Sequence, residues 1–537
     1  MRVYYEGYAE DIMIEAAAKL QLDHGWDPIY WSANYTFEKK VTEKFPGVIY
    51  NSSINSPRGI INQYFQNKPL PFLTEEFLKE MSPHETIILY MMQRYDRDGD
   101  SFSYLERLDH YHHLLRYSLL QFQELKPDLI LFAEIPHGVA DYVLYAVAKY
   151  LKIPYLTFSI TSWPGYCYIS PCEIEGDSNP ILQKYNELLK SEFHSKKEFN
   201  PLITKFFNTM NGTYQEAKPW CIDFVDNNRE YYSFSLKKLK LYLTKLNRIS
   251  LYLKRFYGFN SPIDFDNYEK IKNISFQISF KTFKESKKSK VQFKKYVAEI
   301  RNYYHSLAIK PDINCSYVYL ALHYQPELST SPAGGYFGHQ HLLVDTLRKN
   351  IPADWKIYVK EHPCQFEDAM PKNAMRNRAY YDKILSYPNT FLVDIKTNTF
   401  HLTDNAKAIA TVVGTVGFEA ICRGIPALIF GNVWYLGCEG TYYAASENGL
   451  KSALKDILSG KKVDPIKVQL FLQSLIEVGE YVWNKELHRE YVKMNLTEEE
   501  NIHRLVKLYN NAFNHYYKST SFLGEKLLSN HSYIINS

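Results

Sequence analysis

An α/β fold built on parallel sheets is predicted by three observations. Two apolar strands, Trp355 to Pro363 and Ala408 to Val413, each deliver polar groups at their carboxyl ends, where open α/β sheets hold ligands. The second strand opens a strand, glycine turn, short helix, strand unit that runs to Gly431. The chain has 537 residues, too many for one hydrophobic core, so more than one domain is expected.

In chain order, Arg2 to Tyr5 reads as a strand. Glu10 to Leu20 reads as a helix stopped by Gly25, and Pro28 to Trp31 as the next strand. A clearer unit follows: a helix over Tyr104 to Leu125, a buried strand over Asp128 to Ala133, a helix over Gly138 to Leu151 and a strand over Tyr155 to Ile160. Between strand and helix stand Glu134 and His137. A carboxylate and an imidazole at a strand end are candidates for taking the proton of a hydroxyl, with a carboxylate as nucleophile if a transferred sugar keeps its anomeric configuration, or they fill a helix cap and a turn.

The strand ending at Pro363 hands over Lys360, Glu361 and His362, and the proline ring ends its pairing. After Val413 the run Gly414, Thr415, Val416, Gly417 turns into a helix placed at Phe418 to Arg423, whose free N–H groups would face an anion. The glycines let backbone approach a phosphate, and Thr415 adds a hydroxyl; the bland alternative is a tight turn with a helix cap. Glu419, one helical turn on, would accept hydrogen bonds from ribose hydroxyls or serve as a cap. Gly424 to Phe430 is the strand that closes the unit.

The middle of the chain is basic. From Leu236 to Arg301 there are 17 Lys and Arg against 5 Asp and Glu, in a chain whose net charge is only +4. Leu236, Leu239, Leu243, Leu246, Ile249, Leu253 and Phe256 share one helical face. Such a helix lies on an anionic membrane surface or packs on its own domain with a solvated Lys/Arg face. Nucleic-acid binding is not expected, since no recognised motif accompanies the charge.

Composition is that of a globular protein, 45% hydrophobic and 23% charged, and no apolar window reaches membrane-spanning length. The chain opens with acidic positions rather than a signal peptide's apolar core, so a cytoplasmic location is expected, peripheral on the inner membrane face if the basic helix meets lipid. The seven cysteines are odd in number and hold no Cys-x-x-Cys pair, which argues for reduced thiols. Asp96 to Asp100 imitates a calcium loop, but Gly99 precedes Asp100 and the twelfth position is Arg107, so no metal is expected there or at Asp264 and Asp266. Among the many aromatics, Trp163, Trp434 and Tyr435 follow strands and are the candidates for stacking on a sugar. Asn495 to Glu500 gives a capping signal for a helix over Ile502 to Phe513, and a frayed tail begins near Ser519.

Lys360 to Pro363 paired with Gly414 to Ala420, then Gly424 to Pro426 and Phe430-Gly431, resembles the bacterial capsular polysaccharide biosynthesis family, which includes the Kdo transferases. Tyr317 to Glu327, with Ser329 to Ser331, Gly334, Gly335 and Gln340, resembles that family's first strand and loop of the nucleotide-binding half. The resemblance implies a GT-B glycosyltransferase: two Rossmann-like domains facing across a cleft, with a basic helical insertion and carboxyl-terminal helices. The divisions expected are 1–200 for the acceptor domain, 201–310 for the basic insertion, 311–480 for the nucleotide-sugar domain and 481–537 for helices and tail.

By the same resemblance the donor is a cytidine-activated sugar, CMP-Kdo or a related acidic sugar, used without a cofactor or metal, and the acceptor is a glycan or lipid-linked glycan. An acidic motif of the sialyltransferase type is lacking, which disfavours sialic acid. The donor site comprises His323, Gln325, Glu327, Ser329, Lys360, Glu361, His362, Pro363, Gly414, Thr415, Val416, Gly417, Glu419 and Tyr435; Glu134, His137 and His362 are the catalytic candidates. Alternatives with the same fold are a CDP-linked glycerophosphate or polyol-phosphate transferase and a nucleotide-sugar epimerase; a third is a catalytically idle glycan-binding partner.

Overall fold

The computed structural model describes residues 1–94, 102–171, 179–191, 199–217, 283–325, 330–366 and 376–518. The calcium-like loop 96–100, the apolar helical face 236–256, Asp264, Asp266, Glu327, Ser329 and the tail from 519 lie outside these residues. The fold is GT-B-like α/β, with two sheet domains.

The first sheet carries β1 (Arg2–Glu6), β2 (Asp27–Ala33), β3 (Ile49–Ser52), β4 (Leu129–Phe132), β5 (Tyr155–Ile160) and β6 (Tyr166–Ser170). Strands β1 to β5 are parallel in the lateral order β5-β4-β1-β2-β3. Of these, β4 (Leu-Ile-Leu-Phe) reads as an unbroken apolar run, as a central strand of a covered parallel sheet does, and every residue of it is buried. The helix Asp11–His24 ends where Gly25 takes a left-handed φ of 66°. The helix Tyr104–Leu125 starts at a capping box, Ser103 with Glu106.

The second sheet carries β7 (Tyr317–Ala321), β8 (Lys356–Lys360), β9 (Thr390–Val393), β10 (Ala408–Thr411), β11 (Ala427–Ile429) and β12 (Thr441–Tyr443). All six are parallel, in the order β12-β11-β10-β7-β8-β9. This is the doubly wound order that reverses direction between its first and fourth strands, here β7 and β10. Sheets of this order hold ligands in a crevice at the carboxyl ends on either side of that reversal, where His323, His362 and Gly414 follow β7, β8 and β10.

After the second domain the chain returns to the first. Glu480–Tyr481 forms β13, antiparallel to β6, which itself runs antiparallel to β5. The helix Glu498–Phe513, capped by Thr497 and Glu500, lies against Asp11–His24. Tyr509 meets Tyr8 hydroxyl to hydroxyl at 2.8 Å, and Phe513 packs edge-on against Trp26. Conversely, the helices Pro180–Lys190 and Pro201–Asn211 pack with Phe418, Trp434 and Phe471 of the second half. Arg423 ties that junction by donating to the Met210 and Gly212 carbonyls, both at 3.0 Å.

A further clasp joins the domains beside the crevice. The helix Glu75–Met91 brings Tyr90 to the Gly338 carbonyl at 3.3 Å and to the Gln325 amide. Arg94 donates to the carbonyls of His137, in the first domain, and Ser331, in the second. Among the described residues no helix is long and apolar enough to cross a membrane. Cys167, Cys315, Cys364, Cys422 and Cys438 are unbridged.

Candidate active site

On the second-domain side, the helix runs Thr415–Cys422, three residues earlier than the expected Phe418 start, with Gly414 as its N-cap in extended conformation and no side-chain cap. Gly417 N–H turns back to the Gly414 carbonyl at 3.1 Å. Gly414 N–H is taken by the Thr411 hydroxyl at 3.2 Å. Among the described residues the N–H groups of Thr415 and Val416 have no intramolecular acceptor, as expected of a first helical turn, and Thr415 is exposed. These amides form an anion-receiving end at the crevice.

His323 buttresses that turn from β7. Its Nε2 accepts from Val413 N–H at 3.1 Å and from the Thr411 hydroxyl at 3.0 Å, while Gln340 holds its backbone N–H at 2.8 Å. Burial, with His362 and Arg376 nearby, pushes its pKa down to about 3, so the ring stays neutral. The turn, not a ligand, is what His323 holds.

His362 emerges from β8 on the other flank of β7 and is half-buried. Its Nδ1 accepts from Cys364 N–H at 3.1 Å. Burial pushes its pKa down to about 4 against the pull of Glu361, so the neutral ring carries its proton on Nε2. That N–H is a donor without charge, suited to the oxygen of a departing phosphate. Pro363 opens the short helical turn Pro363–Phe366 that places Cys364 for this bond.

Several residues expected on the donor are instead spent inside the protein. Lys360 is 4% exposed and donates to the Thr397 carbonyl at 2.6 Å and the Thr399 hydroxyl at 2.9 Å; burial lowers its pKa to about 8. Glu361 is 1% exposed and forms a buried ion pair with Arg376, Oε2 to Nε at 2.7 Å, while also accepting from Tyr381 at 2.8 Å and His362 N–H at 2.9 Å. Gln325 is enclosed by Gly338, Gln365, Tyr90 and Arg376. Tyr435 is fully buried and donates to the Gly414 carbonyl, and Trp163 and Trp434 stack in the junction core rather than over a sugar. These side chains are shared out between strand ends because parallel strands alternate their side chains, and half must point into the layers.

Glu419 is 5% exposed beneath the helix, and burial raises its carboxyl to about 7, opposed by Thr415, Arg423 and Lys360. Arg376, which sequence reasoning missed, follows no periodic pattern and reaches the strand ends from a loop. It also donates to the His323 carbonyl at 2.9 Å, linking β7 to β8.

On the first-domain side, β4 ends at Glu134 beside β1, the switch point of that sheet. His137 Nδ1 donates to the Ile135 carbonyl at 2.8 Å, which leaves Nε2 as the basic nitrogen, 3.8 Å from Glu134 Oε1. Glu134 Oε2 lies 2.6 Å from Lys485 Nζ. Burial would raise the Glu134 carboxyl, but His137 and Lys485 outweigh it and hold it below its ordinary value. Glu6, at the end of β1, accepts from Ser32 at 2.9 Å; burial and Asp141 raise it to about 8. The first domain thus carries a lone pair on His137 Nε2 just past the end of β4, and the second carries a neutral N–H on His362 and the amides of Thr415 and Val416. Among the described residues no group of three or more His, Cys, Asp and Glu side chains could hold a metal ion.

Residues 333–446 match the family described as Capsule polysaccharide biosynthesis protein. The match spans His362 and the glycine turn but starts downstream of His323. No curated protein matches the chain. Similar solved structures include the KpsC β-Kdo 2,7 transferase of Thermosulfurimonas dismutans, at 14% identity over 40% of this chain and 61% of that one, TM-score 0.23. The KpsC β-Kdo 2,4 transferase of the same organism has 13% identity over 68% and 87%, TM-score 0.28. The UDP-GlcNAc 2-epimerase of Methanocaldococcus jannaschii has 13% identity over 88% and 98%, TM-score 0.24. The strand orders carry the fold assignment, and these scores add nothing to it. Over residues 333–446, inside a two-sheet frame of GT-B-like fold, this chain is similar to the capsule polysaccharide biosynthesis family.

Proposed function

We propose that the protein is a glycosyltransferase of capsular polysaccharide assembly, transferring Kdo or a related acidic sugar from a cytidine-nucleotide donor to a glycan or lipid-linked glycan. The observation that carries this reading is the facing of two unlike groups at the crevice of the second sheet. The amides of Thr415 and Val416, which have no helical acceptor, follow β10, across β7 from the His362 imidazole, whose proton is on Nε2.

When the bond from sugar to phosphate breaks, negative charge grows on the phosphate and positive charge on the anomeric carbon. Fixed donors aimed at the phosphate stabilise that state more than the ground state. His362 Nε2–H and the helix amides supply them without a net charge to desolvate. His137 Nε2 takes the proton of the acceptor hydroxyl as the new carbon–oxygen bond forms, and Glu134 stabilises the resulting imidazolium. The neutral His323 keeps Val413 and Gly414 in place through the cycle.

Thermal shift with free nucleotides tests the reading. At a hundredfold excess over its dissociation constant a ligand contributes about 2.7 kcal/mol, a clear rise in midpoint. CMP is expected to give the largest shift, and His362→Ala and Thr415→Pro to reduce it and to lower turnover of CMP-Kdo. A larger shift with CDP or UDP would move the assignment to a CDP-linked transferase or an epimerase. No shift with any nucleotide would leave only a glycan-binding role.

A further inference from the structure

Lys485 reaches the acceptor side of the crevice from 351 residues away in the chain. Its approach is built, not incidental. Val482 N–H is held by the Gly165 carbonyl at 3.0 Å. Trp483 exchanges two bonds with Asn501, N–H to Oδ1 at 3.0 Å and Nδ2 to carbonyl at 2.9 Å. Asn484 is 2% exposed and donates to the Ala133 carbonyl at 2.8 Å, beside Glu134 itself. The pinned backbone fixes where the Lys485 side chain starts, and its Nζ lies 2.6 Å from Glu134 Oε2, with both side chains 39% exposed.

We propose that Lys485 is a positioning residue of the acceptor site: it holds one oxygen of Glu134 so that the carboxylate stays ionised with its other oxygen turned to His137 Nε2. The proposal rests on the reading of His137 as the base. Glu134 shares its oxygens between partners, Oε2 to Lys485 and Oε1 to His137. As the acceptor oxygen bonds to the anomeric carbon, its proton passes to His137 Nε2, and the electron pair of the broken sugar–phosphate bond leaves with the nucleotide. His137 then returns the proton to solvent. An ionised Glu134 favours the charged imidazole in the middle of that sequence; a protonated one does not.

The electrostatics of the neighbourhood agree with this. Burial raises the Glu134 carboxyl while His137 and Lys485 lower it, with the lowering dominant. Lys485 also faces Glu10, which it lowers, and His488, which it and burial hold down. Asp141 accepts from His137 N–H at 3.1 Å and faces Glu6, so it steadies the loop rather than the ring nitrogen. With Lys485 gone, burial of Glu134 is opposed by His137 alone.

The test uses full-length protein carrying Lys485→Met, Lys485→Arg or Glu134→Gln, with CMP-Kdo as donor. For Lys485→Met the acid limb of kcat/KM should move upward, with CMP binding unchanged. Lys485→Arg should restore the limb. An acid limb that stays in place in a folded, CMP-binding Lys485→Met protein overturns the proposal, as does an Arg variant no better than Met. Lys485→Gln serves if the Met variant does not fold. Should wild type turn over no CMP-Kdo, the transferase reading fails separately. A double-mutant cycle of Glu134→Gln and Lys485→Met in urea at pH 7 then decides the pair: coupling supports it, and no coupling overturns it.

Discussion

The Nδ1 atoms of His137 and His362 are engaged in opposite senses. That of His137 donates to the Ile135 carbonyl at 2.8 Å, and that of His362 accepts from Cys364 N–H at 3.1 Å. A carbonyl only accepts and an amide N–H only donates, so the free ends differ: a lone pair on His137 Nε2 and a proton on His362 Nε2. Asparagine at either position retains the Nδ1-side bond and removes the Nε2 end. Each substitution, His137→Asn and His362→Asn, is expected to lower turnover of CMP-Kdo at least about a hundredfold with little change in thermal midpoint. CMP titration separates them, since only His362→Asn should weaken binding. Full turnover in either variant removes that residue from the mechanism.

Thr415 occupies the first helical position after Gly414, whose φ of −72° and ψ of 148° suit a residue preceding proline. Proline is tolerated at this position because its N–H has no helical partner. Thr415→Pro should therefore leave the midpoint unchanged or slightly raised while weakening CMP binding about tenfold, because one receiving amide is gone. Gly417→Ala tests the opposite case. A Cβ there would meet the Tyr435 hydroxyl at 2.5 Å and Ile429 at 2.9 Å, so the variant should lose about 1–3 kcal/mol of stability. Isothermal titration and urea unfolding read the two outcomes.

Arg376 and Glu361 form an ion pair at 3% and 0% side-chain exposure, so removing one partner strands a buried charge. Glu361 outweighs burial and raises the guanidinium's already high pKa. Arg376→Met is expected to cost about 3–5 kcal/mol, and the double variant Glu361→Gln with Arg376→Met to recover part of it. Urea midpoints check both. If Glu361→Gln alone abolished CMP binding in a protein as stable as wild type, Glu361 would be a donor contact after all.

What the sequence made legible is where the chain turns over at strand ends. His362, Gly414 and Thr415 each stand just past an apolar run, and the expected spans Tyr104–Leu125 and Tyr155–Ile160 are those observed. Direction was not legible. Lys360 and His362 belong to the same strand end, yet one turns under Thr399 and the other to the crevice. Tyr435 was read as a stacking ring, but its hydroxyl is committed to Gly414, a pairing set by tertiary packing alone. Arg94, at the end of the short helical turn Met92–Arg94, and Arg376 and Lys485, from loops, are far in sequence from the groups they hold, where no periodicity marks a partner. β13 is a two-residue edge strand, and its antiparallel pairing with β6 depends on the chain's return from the second domain.

The neutral His323 makes a pH-dependent prediction. Its folded pKa is depressed to about 3, against an ordinary value near 6.5, so between these limits the unfolded chain binds a proton that the folded chain refuses. Acidification through that window therefore favours unfolding, by up to about 1.4 kcal/mol for each pH unit. His323→Gln keeps an acceptor for Val413 N–H and the Thr411 hydroxyl but does not titrate. Comparing the two proteins cancels the opposite contributions of Glu6 and Glu419, whose raised carboxyls lose stability as pH rises. The stability lost by wild type between pH 6.5 and pH 5 should exceed that lost by His323→Gln. Equal losses in urea unfolding at the two pH values would mean that the imidazole is protonated in the folded state, and that Val413 N–H is not held by Nε2.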